Sequence, residues 1–338
     1  RETVYEVNGK KYVVDQNGNG NEKAKSDTKE VIYPNRLKVY DENPLHTNLL
    51  SNSNKRETVY EVNGKKYVVD QNGMGSGSRN ENRYETDLYY AEAMIAISKV
   101  TEKEKISLGF ALPAEHYKDD EIVAKVKQRF LNEHEILVDG VRHKFNVDSV
   151  YVLPQAYLCL VDYILEDDFS IRNDKHKNTY LCIDIGAGTL DIVTTNGLKI
   201  TSADGGNIGS MDFNKKYLAR IKNNPMVVSD KAKFTIDDID FIPQKIFRKR
   251  EKQYDFTKEY EETCKELADQ VSYYLNKNGI DFSDYDRILY CGGTTLLIQD
   301  HLYLPNNAKI YPDSIMGNVR GGQKFVAYRN SMNKGGQK

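Results

Sequence analysis

The chain has little cysteine, little histidine, no excess of either charge and no long apolar run, and each shortage removes a class of protein. Of its 338 residues only four are cysteines, Cys159, Cys182, Cys264 and Cys291. They show no CxxC spacing and three sit in apolar runs where a small thiol packs, which suits a reducing compartment and argues against a disulfide scaffold. The six histidines form no HExxH or comparable pairing, so no histidine metal site is expected. A formal charge of -2, from 48 basic and 50 acidic residues, creates no global field for nucleic acid or an anionic membrane, so no direct nucleic-acid contact is expected. No secretory-type apolar stretch opens the sequence as given, no run approaches the ~18–20 residues that span a bilayer, and no amphipathic anchor is found. The expectation is a soluble cytoplasmic protein without membrane contact.

What is present is length enough for two domains, at roughly 100–200 residues each, and an undiverged repeat. Arg1–Gly18, RETVYEVNGKKYVVDQNG, returns letter for letter at Arg56–Gly73. Two copies are too few for a solenoid, so the pair reads as recent duplication or as an artificially joined chain. Each copy sets Asn-Gly between β-branched and aromatic runs, Val4–Val7 and Tyr12–Val14 in the first, Val59–Val62 and Tyr67–Val69 in the second. That is a strong hairpin signal. Tyr40–Lys55 and Gln71–Asn82 read as polar loops.

Beyond them, periodicity predicts a helix over Glu85–Ser98, a strand at Ile106–Leu112 and a helix over Asp120–Asn132. Strands follow at His143–Asn146 and Ser149–Leu153, then a helix from Gln155 to about Glu166. Two strands flank a turn within Tyr180–Thr195, a charged helical stretch covers Lys245–Asn276, and Arg287–Cys291 is a strand running into Gly292, Gly293 and a helix. This alternation indicates an α/β architecture.

The segment most suited to chemistry is Leu181–Val193, an apolar strand ending in Asp184, a tight turn of Gly186, Ala187, Gly188 and Thr189, and a second apolar strand holding Asp191. Glycines let backbone N–H groups approach an anion without interference from a Cβ, and the Thr189 hydroxyl offers a further donor. Asp184 is placed to hold magnesium through water, because magnesium keeps several waters beside substrate phosphates. A Gly-x-Gly turn alone is ordinarily just a hairpin; the complete D-x-G-x-G-T-x-D string is more specific.

That string resembles the second phosphate loop of the superfamily of actin, heat-shock chaperones and sugar kinases. The resemblance implies an actin-like two-domain fold with ribonuclease H-like cores and a nucleotide cleft between the domains, domain I over 1–165 with a C-terminal return at 316–338 and domain II over 166–315. It implies a first phosphate hairpin, for which Asp15, Gly18, Gly20 and Lys23 match once one residue, such as Asn17, counts as an insertion; Asp70, Gly73 and Gly75 of the second copy lack the following lysine. Pro154, Gln155 and Ala156 resemble the connecting segment in which a Gln or Glu orients the attacking water, although proline at a helix start is also ordinary capping. Gly205 and Gly206 follow the second loop as a Gly-Gly turn does in this superfamily, Gly292 and Gly293 resemble its adenosine motif, and Lys245, Arg248 and Lys249 lie where base or ribose contacts occur.

Within the superfamily, Lys11 to about Tyr328 is most similar to ParM-type plasmid-segregation actins, on Phe110–Tyr117 and on Gly317–Gly321 within the closing stretch Asp313–Val326. This resemblance implies an ATP hydrolase using ATP and Mg2+, with Gln155 and Asp184 catalytic and Asp15 and Asp184 at the metal. It implies self-assembly into head-to-tail filaments and a DNA-bound adaptor that moves plasmid copies apart. The alternatives are a non-polymerising ATPase or small-molecule kinase of the same fold, or an altered copy with impaired turnover.

Overall fold

The computed structural model describes residues 10–16, 21–40, 57–70, 83–172, 175–239, 244–249 and 251–335. Of the first repeat copy, Lys10–Gln16 forms strand β1, which pairs antiparallel with β2 (Asn21–Lys25); β2 pairs in turn with β3 (Glu30–Pro34). After β4 (Leu37–Val39), the second copy forms the expected hairpin of β5 (Tyr60–Val62) and β6 (Lys65–Val69). Its turn residues Asn63 and Gly64 have φ of 50° and 73°, the left-handed pair that a two-residue I′ turn demands. The Val4–Val7 half of the first hairpin lies outside the described residues, as do 41–55 and 71–82 of the two loops.

Helix α1 (Asp87–Val100) starts where the Thr86 side chain accepts the Tyr89 N–H and buries an unbroken run from Ala91 to Ile97. Next come β7 (Lys105–Leu112), the short helix α2 (Ala114–Tyr117) and α3 (Asp120–Phe130), the last capped by the Asp119 carboxylate. Then β8 (Asn132–Val138) leads into β9 (Val141–Pro154). The sequence predicted two strands where β9 is one. The apparent break is a bulge: Ile106 pairs with Val147 and Ser107 with Ser149, so Asp148 is the extra residue. The predicted helix at Gln155 also starts later. Pro154 closes β9 rather than opening a helix, Ala156 has φ of 65°, and α4 spans Tyr157–Ile164. A left-handed alanine cannot continue an α-helix.

The remaining strands form a second sheet: β10 (Thr179–Ile185), β11 (Leu190–Asn196) and β12 (Lys199–Gly206) run antiparallel. Helices α5 (Ser210–Asn223) and α6 (Pro225–Asp230) follow. The charged stretch from Lys245 is not helical at first. It forms a hairpin of β13 (Ile246–Lys249) and β14 (Lys252–Asp255), and α7 is confined to Thr257–Lys277. Phe247 and Tyr254 are cross-strand partners, both buried with Phe234 and Phe256, a two-residue period that the surrounding charges hid. β15 (Arg287–Cys291), α8 (Gly293–Ile298), β16 (Ala308–Ile310) and α9 (Gly317–Gly335) complete the chain.

The chain divides into two units: Arg1–Leu112 with His116–Arg172 and Asn318–Lys338, and Pro113–Glu115 with Asn173–Gly317. The first sheet has the order β3-β2-β1-β7-β9-β8-β5-β6-β4 and the second β12-β11-β10-β15-β16. In each, three sequential antiparallel strands are followed outward from the first by two parallel strands reached by crossovers. Both cores thus share one plan. All four cysteines are buried and free. No helix among the described residues is long and apolar enough to cross a membrane.

Within the first unit, α9 packs on α4 so closely that a Cβ on Gly321 would overlap the Leu158 carbonyl. The buried Lys324 ammonium lies 2.8 Å from Asp162 and 3.1 Å from Asp167 and donates to the Leu165 carbonyl. Arg320 pairs with Glu30 at 2.8 Å in a more exposed setting and holds the Glu30 pKa below its usual range. The environments predict different costs. In urea denaturation, Lys324→Met should lower stability by about 3–5 kcal/mol, because a buried carboxylate loses its cation. Arg320→Ala should cost about 1 kcal/mol or less.

Candidate functional site

The β10–β11 hairpin builds the candidate site. Every residue from Tyr180 to Ile185 is buried, so the strand has no freedom to turn its carboxylate outward. Asp184 and Asp191 are direct cross-strand partners, 4% and 1% exposed, and therefore lie side by side on one face of the ladder. The intervening turn is tight, with the Gly186 N–H donating to the Thr189 carbonyl at 2.8 Å.

The turn's carbonyls are held from one side. Gly186 O accepts from the Thr294 hydroxyl at 2.6 Å and the Ser210 N–H at 3.3 Å, and Ala187 O accepts from the Met211 N–H at 2.9 Å. Gly209 makes the approach possible, since a Cβ there would overlap both carbonyls. In a trans peptide the N–H points opposite to its C=O. The N–H groups of Ala187 and Gly188 are therefore aimed away from α5 and α8. Two adjacent amides aimed the same way can both donate to one anion.

The carboxylates are enclosed by backbone. Gly292, at φ of 90°, lies so close that a Cβ would overlap the Asp184 carboxylate and the Ile185 carbonyl. Asp191 accepts the Thr189 hydroxyl at 2.8 Å on one oxygen and the Ala114 N–H at 2.6 Å on the other. Gly205, opposite Asp191 on β12, donates its N–H to Glu115 at 3.3 Å, and its carbonyl accepts the Tyr274 hydroxyl. The Tyr274 ring also occupies the space of a Gly206 side chain.

The first part of the chain, 15–157, matches the family described as actin like proteins N terminal domain. Over the whole chain, the structure is similar to that of the apo pSK41 ParM protein, at 19% identity and a TM-score of 0.69, covering 96% of this chain and 99% of that one. It is similar to ParM in a 15-stranded filament from Clostridium botulinum, at 18% identity and a TM-score of 0.75 over 95% and 100%. It is also similar to an archaeal actin homologue, Ta0583, in complex with ADP, at 18% identity and a TM-score of 0.73 over 94% and 99%. No curated protein matches by sequence.

The chain has the actin-like fold.

Of the residues singled out in the sequence, Asp184, Gly186, Ala187, Gly188, Thr189, Gly205, Gly206, Gly292 and Gly293 are gathered around this one hairpin of the actin-like chain. In the other unit the equivalent hairpin is β1–β2. There Asp15 is the cross-strand partner of Lys23, eight residues on, whereas Asp184 pairs seven residues on. The β1–β2 connection is therefore one residue longer. Gly18 and Gly20 lie in it, outside the described residues. Gln155 is 3% exposed and its N–H donates to the Leu112 carbonyl at 2.7 Å.

Lys245 and Arg248 belong to the β13 hairpin region instead of a helix. Glu261 binds the Lys245 ammonium at 2.6 Å and raises its pKa, while Arg248 is exposed.

Three participants make contacts that the sequence motif does not specify. Thr189, read from sequence as a phosphate donor, gives its hydroxyl proton to Asp191 in this structure. Asp191 was visible in the motif without a role. Ala114 contributes a backbone amide that any residue except proline would supply.

Among the described residues no group of three or more His, Cys, Asp or Glu could hold a metal ion. The Asp184 carboxylate is an oxygen donor of the kind magnesium takes beside phosphates, where one or two protein carboxylates suffice.

Two glycine substitutions separate backbone strain from crowding. Gly64→Ala meets nothing within 4 Å and should cost only the left-handed penalty, about 1–2 kcal/mol. Gly292→Ala carries that penalty plus overlap with fixed backbone, about 3 kcal/mol or more in total by urea denaturation.

Proposed function

We propose that this actin-like chain is a cytoplasmic ATPase that assembles with ATP into head-to-tail filaments and segregates plasmid DNA through a DNA-bound adaptor. The observation that carries the nucleotide reading is the outward pair of Ala187 and Gly188 amides beside the buried Asp184 carboxylate. The ADP complex of the archaeal homologue supports a nucleotide as the ligand, and the Clostridium botulinum ParM filament supports self-association.

In this reading the Ala187 and Gly188 amides bind phosphate oxygens, and their fixed orientation means that no reorganisation is needed as charge develops. We assign Gly205, Gly206, Gly292 and Gly293 to backbone that lies against the nucleotide. Asp184 would hold magnesium through water, and the ion when bound would neutralise charge on the phosphates. We assign Gln155 to orient the attacking water, and Asp15 and Lys23 to the equivalent hairpin of the other unit. Lys23 supplies a positive charge at the ladder position where the second hairpin has Asp191. The head-to-tail contact repeats without closing, as a filament requires.

The test is simultaneous light scattering and phosphate release after magnesium-ATP is added to the purified protein. Scatter should rise, phosphate should follow, and scatter should then decay. Asp184→Ala should abolish phosphate release, and Gln155→Ala should slow it by about tenfold to a hundredfold while leaving nucleotide binding within about threefold. Hydrolysis without scatter, or phosphate transfer to a small molecule, would replace the filament with a soluble enzyme of the same fold. Wild-type turnover in both variants would remove the assigned roles.

A further inference from the structure

The two amides assigned to phosphate are aimed by anchors of different kinds. Each anchor grips the carbonyl of the preceding residue, which shares a rigid peptide plane with the amide and points the opposite way. The plane that carries the Gly188 N–H is held by backbone, with the Met211 N–H donating to the Ala187 carbonyl at 2.9 Å. The plane that carries the Ala187 N–H is held chiefly by a side chain. The Thr294 hydroxyl donates to the Gly186 carbonyl at 2.6 Å, against 3.3 Å for the Ser210 N–H.

Thr294 lies in the first turn of α8, directly after Gly292 and Gly293, and is 3% exposed. A threonine hydroxyl has a single proton, and here it goes to Gly186. The branched side chain has few rotamers, so the hydroxyl keeps its direction. A hydrogen bond accepted by a peptide carbonyl also polarises that peptide and strengthens the N–H at its other side as a donor. The short contact therefore both aims the Ala187 amide and makes it a better partner for an anion.

We infer that Thr294 is a positioning residue for phosphate, acting through the Gly186 carbonyl on the Ala187 amide. This inference rests on the nucleotide reading above and adds a residue whose hydroxyl serves the turn and not the ligand. Thr294 immediately follows the two glycines assigned to lie against the nucleotide, so one short segment would set the nucleotide and its phosphate donor in register. Every group in the argument belongs to the unit that contains Asn173–Gly317. Serine, which keeps the hydroxyl, should preserve the role, and valine, which keeps the shape without it, should not.

The experiment compares wild type, Thr294→Val and Thr294→Ser in three measurements: affinity for a nonhydrolysable ATP analogue with magnesium, melting temperature without ligand, and the amide resonances of Ala187 and Gly188 as the analogue is added. Thr294→Val should bind about tenfold more weakly, the loss expected when one hydrogen bond to a charged group is poorly aimed. Thr294→Ser should bind within about threefold of wild type. Melting should shift by only a few degrees in either variant, because the Ser210 N–H still satisfies the Gly186 carbonyl. In Thr294→Val the ligand-induced shift of the Ala187 amide should shrink while that of Gly188, whose plane has its own anchor, persists.

Wild-type affinity in Thr294→Val would overturn the role. So would a serine variant that binds as weakly as the valine variant, or Ala187 and Gly188 responses that disappear together, which is the mark of a general loosening of the turn. The serine comparison stands even where the valine chain fails to fold. If wild type itself does not bind the analogue, the nucleotide reading is what fails, and the role of Thr294 with it.

Discussion

Two carboxylates set side by side inside a sheet repel each other and must be supplied with hydrogen-bond donors or positive charge. The pairing of Asp184 with Asp191 imposes this on everything around it. Asp191 is satisfied from within, by Thr189 and Ala114. Asp184 has backbone pressed against it at Gly292, a position where any side chain would intrude. The glycines of the site are consequences of that arrangement. They bring main chain close to charge and anchor the turn's carbonyls on α5 and α8, so that its amides face the other way.

The same sheet plan occurs in both units, yet the two hairpins have opposite chemistry. At the position that faces the strand-terminal aspartate, one unit has Lys23 and the other Asp191. The longer β1–β2 connection marks a second difference. A duplicated plan supplies two hairpins, and the residue at one cross-strand position leaves an aspartate–lysine pair in one and two aspartates in the other.

Much of the site was legible because its chemistry is local. Asp184, the turn and Asp191 lie within eight consecutive residues, and a short apolar run on each side of a glycine turn predicts a hairpin of two buried strands. The strand Arg287–Cys291 and the glycines after it were read for the same reason. Other features depend on partners distant in sequence. Asp148 looked like a strand break and is a bulge. Lys245–Asp255 looked helical because charge hid the pairing of Phe247 with Tyr254. Pro154 looked like a helix start, although the left-handed Ala156 delays α4 to Tyr157.

The exact repeat separates what sequence determined from what tertiary structure decided. The identical run Lys-Lys-Tyr-Val-Val becomes a strand in both copies, because alternating β-branched and aromatic residues fit a pleated surface. Its neighbours differ completely. In the first copy it begins β1, between β2 and the parallel β7; in the second it is β6, between β5 and β4. Local side-chain pattern specifies the extended conformation, but a strand offers hydrogen bonds on two edges to whatever the rest of the chain delivers. The strand state and the phosphate-turn motif were therefore written in local sequence. The pairing partners, the shielding of Asp184 by Gly292 and the grip of Asp191 on the Ala114 amide came only from long-range packing.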